Sequence, residues 1–305
     1  MLPPRGTGEK VVKSRIDAIA ALAASGLAEA VDITDGSRGI PLMPPGDFIS
    51  LARRGLGDAA AGIEMIAHFT GRDLNTMGIQ GRLVGYHHMG IRNILFVTGD
   101  PPNMSPGYPR STAVFDLDSV EMVRLAQQYL NAGLDFGGRP LNPIRTSPGP
   151  AGDDVRRGGQ VRDGTAFTVG SGFEPEALDG ERELGRLRAK IDAGADYIMT
   201  QPAFRHEPLA AMEPFRRQVP ILVGVMVLTS LEQARRVGET PGVVIPQAVY
   251  DRLAAFQQPE DQAKVGRDIA IEHAQWVRAN GWPGLYLMSP SSTAMTIEVL
   301  KALAE

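Results

Sequence analysis

The chain has 305 residues, of which 43% are hydrophobic and 22% are charged. This composition is typical of a globular protein that buries a full core. The 31 basic and 35 acidic residues give a net charge of -4 without a basic stripe, so we expect no nucleic-acid partner. The absence of cysteine excludes disulfides, thiolate nucleophiles and cysteine-bound zinc.

The five histidines show no metal-ligand spacing, and we expect no metal site. The longest apolar stretch, 220–228, is too short to cross a bilayer, so no membrane partner is expected. The first residues lack the apolar region of a signal peptide, which predicts a cytoplasmic protein.

Short apolar or β-branched runs alternate with helical patterns along the chain, which is typical of βα units with a parallel sheet. The predicted strands are 30–34, 64–70, 93–98, 165–170, 197–200, 221–227 and 285–288. The predicted helices are 9–25, 47–56, 74–89, 119–132, 180–193, 208–218, 230–237, 246–256, 261–280 and 293–303.

Seven strands with room for an eighth predict an α/β fold, a (β/α)8 TIM barrel formed by residues 1–305 as one domain. The first strand should precede the first helix, where Met1 and Leu2 offer only a truncated or very short one. Residues 137–164 are rich in Gly, Pro, Arg and Asp and predict one long irregular insertion. A surface insertion is the simpler interpretation, with a lid or binding loop as the alternative.

In a barrel of this class the active site forms at the carboxyl ends of the strands and in the loops that follow. The residues at those positions are Thr34-Asp35, His68-Phe69-Thr70, 98–102, Gly170-Ser171-Gly172, Thr200-Gln201-Pro202 and 289–292. This set is polar and poor in charge, and it holds no nucleophile–base pair. It suits a large planar cofactor that brings its own reactivity. A Rossmann GxGxxG motif is absent, so such a cofactor would bind at the barrel mouth.

Four stretches, taken in order, resemble the methylenetetrahydrofolate reductase family. They are HFT at 68–70, FVTGDPP at 96–102, AGADYIMTQ at 193–201 and GVVIP at 242–246. The resemblance covers nearly the whole chain and implies a (β/α)8 barrel with noncovalent FAD. It implies interconversion of 5,10-methylene- and 5-methyltetrahydrofolate with NAD(P)H as co-substrate. A folate substrate is then the main partner, and a homo-oligomer is compatible with this interpretation.

The resemblance also implies site residues. Those along the FAD would be Thr34, His68, Thr98, Gly99, Asp100, Gly170, Glu183 and Lys190. Lys190 would reach a phosphate of the cofactor, and Glu183 its nucleoside end. Asp100 would be the catalytic residue, beside both the flavin ring and the pterin. The substrate would contact Asp100, Gln201 and Leu231.

Three positions depart from the family pattern. A glutamate three residues before the prolines that match Pro3-Pro4 would precede Met1. Near the start of the last βα loop, an arginine that holds the folate tail is replaced by the hydroxyls of 289–293. Gly170 stands where many members have a bulkier side chain. The first two departures affect folate reduction and leave FAD binding largely intact. Without the glutamate, folate reduction should be slower, because a positioned acid contributes about 10²–10⁴-fold.

Structural interpretations compete with these assignments. Asp100 before Pro101 could shape a turn, His68 could be a core histidine, and Gln201 could be an ordinary loop residue. Lys190 could lie on a solvated helix face, while Leu231, Met226 and Met288 could serve core packing. Two functional alternatives also stay open: a flavin-binding subunit or regulator without folate turnover, and a folate-dependent methyltransferase on a similar barrel.

Overall fold

The computed structural model describes residues 1–105, 107–108, 110–142, 164–289 and 292–304. Its strands are β1 (Ala30–Ile33), β2 (Glu64–Thr70), β3 (Asn93–Val97), β4 (Thr168–Phe173), β5 (Tyr197–Pro202), β6 (Ile221–Met226) and β7 (Gly284–Met288). All are parallel and lie in the order β1-β2-β3-β4-β5-β6-β7. A sheet in chain order with helical crossovers confirms the predicted α/β barrel class.

The free edge of β1 is covered by Met1. Its amino group donates to Asp32 O, and its carbonyl accepts from Thr34 N at 2.9 Å. These two bonds on either side of Ile33 form the pattern of a parallel strand. Met1 therefore stands where the short first strand was expected. At the other edge, the Tyr286 hydroxyl of β7 donates to the Asp32 carboxylate of β1 at 2.9 Å. The sheet therefore curls until side chains of its two edge strands are in contact.

Ten helices lie in the described part of the chain, mostly on the outer face of the sheet. They are α1 (Glu9–Ser25), α2 (Pro45–Leu56), α3 (Thr76–His88), α4 (Ser119–Leu125), α5 (Gly180–Asp192), α6 (Glu207–Ala210), α7 (Leu231–Gly238), α8 (Gln247–Ala254), α9 (Pro259–Ala279) and α10 (Thr293–Ala304). A π turn at Ala126–Leu130 continues α4. The predicted helix 208–218 is wrong as one element, since α6 ends after one turn and a 3₁₀ turn follows at Glu213–Phe215. Pro214 explains the break, because it has no N–H to donate to Ala210 O, whereas Pro208 lies in the first turn of α6, where proline is tolerated.

The core lies between the sheet and its helices. One cluster joins the outer faces of the first strands to α1, α2, α3 and α4, with Ile33, Phe69 and Phe96 fully buried. A second joins β5 and β6 to α9 through Ile198, Val223 and Ala274. No helix in the described residues is both long and apolar enough to cross a membrane.

The described flanks of the irregular insertion lie beside the start of β4. Thr165 N donates to Leu130 O at 3.0 Å, and Leu141 N donates to Gly133 O at 2.9 Å. These contacts are at the end of the sheet away from the strand-end loops. Residues 143–163 of the insertion lie outside the described part, and the prediction of one domain stays a prediction.

A glycine on α9 tests this packing. A Cβ built on Gly266 would lie 1.9 Å from Leu228 O, just after β6, whereas a Cβ on Gly81 of α3 meets nothing within 4 Å. We expect Gly266→Ala to lower the free energy of unfolding by roughly 1–3 kcal/mol through overpacking. Gly81→Ala, the matched control, should raise it by roughly 0.5–1 kcal/mol through helix propensity. Urea unfolding measures both, and a Gly266→Ala protein as stable as the control would contradict this packing.

Candidate active site

Most of the predicted site residues meet at one end of the sheet, which we call the mouth. Thr34 follows β1, His68 lies two residues before the end of β2, and Gly99 and Asp100 follow β3. Gln201 is the penultimate residue of β5. Because the strands are parallel, their carboxyl ends share one edge, and these positions converge as the sequence predicted.

The end of β4 differs from its prediction. The strand was expected to stop at Gly170, with Gly170-Ser171-Gly172 as a loop, but it continues to Phe173. Gly170 is a glycine because a Cβ there would lie 2.2 Å from the ring of Tyr197, which packs over it inside the sheet. Gly170 therefore lies within the strand and beneath a tyrosine. Its contact with a cofactor stays a prediction.

Gly172 lies two residues further along the same face of β4 and has more space. A Cβ there would meet only Val97, at 3.8 Å. Gly99 is different again, because its φ of +96° favours glycine and a Cβ would lie 3.1 Å from both Arg72 and Thr70. The mouth therefore has open space above β4 and close packing above β3.

A polar cluster that sequence reasoning missed lies inside the sheet, centred on Asp32. The side chain of Asp32 is 13% exposed, and its carboxylate accepts from the Tyr286 hydroxyl and lies 3.4 Å from the Met1 amino group. His68 Nε2 lies 3.1 Å from the Asp32 carboxylate, at ion-pair distance but without the angle of a hydrogen bond. His68 is thus paired with a carboxylate inside the sheet. The signal was the period of two in β1, which puts Asp32 on the same face as Thr34.

Burial alone would raise the pKa of Asp32, but the Met1 amino group, His68 and Tyr286 outweigh burial and hold the pKa well below its ordinary value. Burial also raises the pKa of Tyr286 and Tyr197 far above the usual range, with the charge of Asp32 adding to the effect. Asp32 is therefore an anion and both tyrosines stay neutral donors near pH 7.

Asp100 is held from two sides. Its carboxylate accepts the Arg38 backbone N–H at 2.6 Å, and its carbonyl accepts from Arg72 Nη1 at 3.4 Å. Both donors come from loops that follow other strands. Asp100 does shape the backbone, as the turn interpretation held. Its carboxylate does so by binding the amide of Arg38, which is 62 residues away in the sequence.

Arg72 was not identified from the sequence, and it is only 5% exposed. Its guanidinium binds the Asp73 carboxylate through Nε at 2.8 Å and Nη2 at 2.5 Å, and it donates to Gly36 O at 2.8 Å. With the bond to Asp100 O, this one side chain joins the loops after β1, β2 and β3. An arginine just after a strand, followed by an aspartate, was the available signal.

Thr98 faces a helix. Its hydroxyl oxygen accepts from Ser119 N at 3.2 Å, at the start of α4, and lies 3.3 Å from the Ser119 hydroxyl. Arg186 of α5 donates to the Ser119 hydroxyl at 3.0 Å and to Asp118 at 2.9 Å. Thr98 therefore links β3 to α4, and its contact with FAD stays a prediction.

Lys190 and Glu183 reach the mouth from α5. Lys190 is 4% exposed, which overturns the solvated-face alternative, and its ammonium donates to Gly172 O at 2.6 Å. Glu183 lies 3.6 Å from that ammonium. Burial lowers the pKa of Lys190, partly offset by Glu183, and burial together with Glu183 raises the pKa of nearby Glu174. The two predicted cofactor residues thus form one partly neutralised group at the end of β4.

Gln201 lies on a β-bulge. Met199 pairs with Leu222 but Pro202 pairs with Gly224, so β5 carries an extra residue. The Thr200 hydroxyl fills the gap by accepting from Gly224 N at 2.8 Å and donating to Gln201 O at 2.8 Å. Bulges re-aim side chains next to active sites, and here the exposed Gln201 amide makes no hydrogen bond within the described residues.

The last two sites are less distinctive. Leu231 begins α7 and packs against the cluster that includes Leu228 and Ala234, so core packing accounts for it, and its folate contact stays a prediction. Within the last loop, the Ser289 hydroxyl donates to Ser292 O at 3.2 Å, while Pro290 and Ser291 lie outside the described part. Among the described residues, no three His, Cys, Asp or Glu side chains are grouped to hold a metal ion.

These observations define an α/β-barrel protein with a cluster of polar and charged residues at the carboxyl ends of its strands. The sequence model of the family described as methylenetetrahydrofolate reductase matches residues 1–138 and 166–304. The chain belongs to this family, as the motifs predicted. The match leaves out 139–165, so most of the irregular insertion is not shared with the family pattern.

Two curated relatives illustrate the similarity. A probable methylenetetrahydrofolate reductase (NADPH) of Caenorhabditis elegans is 24% identical over 79% of this chain and 32% of its own length. A probable methylenetetrahydrofolate reductase (NADH) of Oryza sativa subsp. japonica is 24% identical over 79% of this chain and 38% of its own length. The chain spans about a third of the length of these relatives.

A solved structure shares the fold. It is an uncharacterised protein from Clostridium thermocellum that binds two copies of 5-methyl-5,6,7,8-tetrahydrofolic acid. The similarity has a TM-score of 0.62 with 16% identity, over 99% of this chain and 92% of that one. At this identity the likeness shows the fold alone.

The Asp32 cluster makes a pH-dependent prediction. Because the pKa of Asp32 is depressed in the folded state, its stabilisation is present above the unfolded value of 3.8 and is lost as the pH falls towards the folded value. At pH 7, Asp32→Asn should lower the free energy of unfolding by about 1–3 kcal/mol, and the difference from wild type should shrink at pH 3.

The control is Asp17→Asn, at an aspartate that pairs with Lys13 on the surface of α1. An exposed pair is worth about 0–1 kcal/mol, so this variant should change little at either pH. Urea unfolding at both pH values is the measurement. A loss in Asp32→Asn that grows towards pH 3 would contradict the depressed pKa.

Proposed function

We propose that the protein is an FAD-dependent oxidoreductase that interconverts 5,10-methylenetetrahydrofolate and 5-methyltetrahydrofolate with NAD(P)H. The observation that carries the proposal is that Asp100, after β3, and Gln201, near the end of β5, lie at the same end of the sheet in a chain that belongs to this family. A folate-binding structural neighbour and relatives named for NADPH and NADH are consistent with both substrates.

The residues present fit a flat cofactor at the ends of the strands. Gly172 leaves open space above β4, and its carbonyl oxygen accepts from the Lys190 ammonium. Lys190 is the cation that would reach a phosphate of the cofactor. Gly99 would contact the cofactor from the adjacent strand β3, and His68 and Thr34 from β2 and β1 beyond it. FAD, when bound there, would supply the hydride chemistry that the side chains lack.

The chain's own residues would bind and orient the pterin. Asp100 would accept N–H groups of the pterin through its carboxylate, which already has a fixed position from the Arg38 amide. Gln201 offers a donor and an acceptor side by side on an amide that no described residue occupies. Leu231 would supply an apolar contact further along the folate. The Asp32–His68 pair lies on the inner face below.

The first test is direct. Purified protein incubated with excess FAD should show the absorbance of bound flavin, oxidise NADH or NADPH, and form 5-methyltetrahydrofolate from the methylene compound. Flavin absorbance without folate turnover would indicate the flavin-binding subunit or regulator. Methyl transfer from 5-methyltetrahydrofolate by a protein that binds no flavin would indicate the methyltransferase. A protein that does neither would contradict all three functions.

The second test concerns Gln201. Gln201→Leu removes two hydrogen bonds to the pterin, and we expect the KM for methylenetetrahydrofolate to rise about tenfold. NAD(P)H oxidation with an artificial electron acceptor should not change, because it needs no pterin. Gln275→Leu, on the exposed face of α9, is the matched control. Equal changes in both activities would place Gln201 outside the folate site.

A further inference from the structure

The turn after β1 holds an arginine in an unfavourable backbone conformation. Arg38 has a φ of +57°, between Gly36 and Gly39 with φ of +53° and +66°. A non-glycine residue in this region is uncommon, and such a conformation costs about 1–3 kcal/mol. It persists only where surrounding contacts impose it, and it occurs often at ligand sites.

Contacts on three sides impose this conformation. The Arg38 amide donates to the Asp100 carboxylate at 2.6 Å, and Gly36 O accepts from the buried Arg72 at 2.8 Å. A Cβ on Gly39 would lie 3.1 Å from the Ser105 side chain, so the turn is packed against the loop after β3. The turn is therefore fixed to the same framework that holds Asp100.

The Arg38 side chain carries a charge that no described carboxylate neutralises. Its guanidinium extends to the segment after α7, where Nη2 donates to the Thr240 hydroxyl at 3.2 Å. The Thr240 hydroxyl carries no charge and accepts only this one bond from Arg38, so most of the five guanidinium N–H groups are left for another acceptor. Gly242, two residues after Thr240, lies beside the loop that follows β4, since a Cβ on Gly242 would lie 2.9 Å from the Glu174 carboxylate.

We propose that Arg38 binds an anionic group of the ligand at the mouth, either a carboxylate of the folate glutamate tail or a phosphate of the nicotinamide co-substrate. The proposal rests on the proposed function for the identity of these ligands. Guanidinium groups bind carboxylate and phosphate through two parallel hydrogen bonds. The hydroxyls of residues 289–293 carry no positive charge that could pair with an anion, whereas the Arg38 amide contacts Asp100, the residue expected to hold the pterin.

The test is calorimetric binding to wild type and to three variants. Arg38→Gln removes the charge, and Arg38→Gly removes the charge while relieving the positive φ. Arg217→Gln is the control, at an exposed arginine before β6, at the other end of the sheet. The ligands are 5-methyltetrahydrofolate, its diamide with both glutamate carboxylates neutral, NADH and NADPH.

Loss of a charge-assisted hydrogen bond should weaken binding about 10- to 100-fold in both Arg38 variants and not in the control. A loss for 5-methyltetrahydrofolate but not for its diamide identifies the folate tail. A loss confined to the nucleotides identifies a phosphate, and a larger loss for NADPH than for NADH identifies its 2′-phosphate.

Three outcomes would overturn the inference while leaving the proposed function intact. They are unchanged binding of every ligand, an equal loss for 5-methyltetrahydrofolate and its diamide, and an Arg38→Gly protein that binds as wild type does. A wild-type protein that binds none of the four ligands would instead contradict the proposed function and the inference together.

Discussion

The arrangement of the mouth depends on the buried guanidinium of Arg72. A buried charge must be paired and hydrogen-bonded, and Asp73, Gly36 O and Asp100 O together meet this requirement. Since these groups follow three different strands, the loops cannot move independently without exposing or unpairing the charge. The same side chain explains two glycines, because a Cβ on Gly36 would lie 2.7 Å from its Nη2 and one on Gly99 would lie 3.1 Å from its Cβ.

The position of Asp100 follows from this framework. Arg72 fixes its carbonyl, and the turn anchored by Gly36 returns an amide to its carboxylate. Arg38, whose amide makes that bond, then projects its guanidinium towards Thr240. The Asp100 carboxylate and the Arg38 guanidinium are thus placed by the same three loops. A ligand that bridges them would be recognised at two points of opposite charge.

The sequence predicted the fold well where local patterns decide it. The helix over 9–25 and the strand over 64–70 have the predicted bounds, because their periodicity and flanking glycines are local signals. The strand that was expected to end at Gly170 extends to Phe173, since glycines that normally mark a loop are required here by the Tyr197 ring. Asp32 was missed as a site residue because its partner Tyr286 lies 254 residues away in the sequence. Arg72 has a neighbouring carboxylate in Asp73, but the two carbonyls that tie it to the other loops, Gly36 O and Asp100 O, lie 36 and 28 residues away.

Gly170 and Gly172 lie on the inner face of β4, and the space above them is filled at Gly170 and open at Gly172. Above Gly170 the Tyr197 ring fills the space, and the Tyr197 hydroxyl donates to Ile94 O at 3.2 Å. Above Gly172, nearer the mouth, only Val97 comes within contact distance. The Asp32–His68 pair lies on this same inner face, on the neighbouring strands β1 and β2. A planar ligand that entered at the level of Gly172 would therefore meet the Tyr197 ring below it, at the level of Gly170 where His68 also lies.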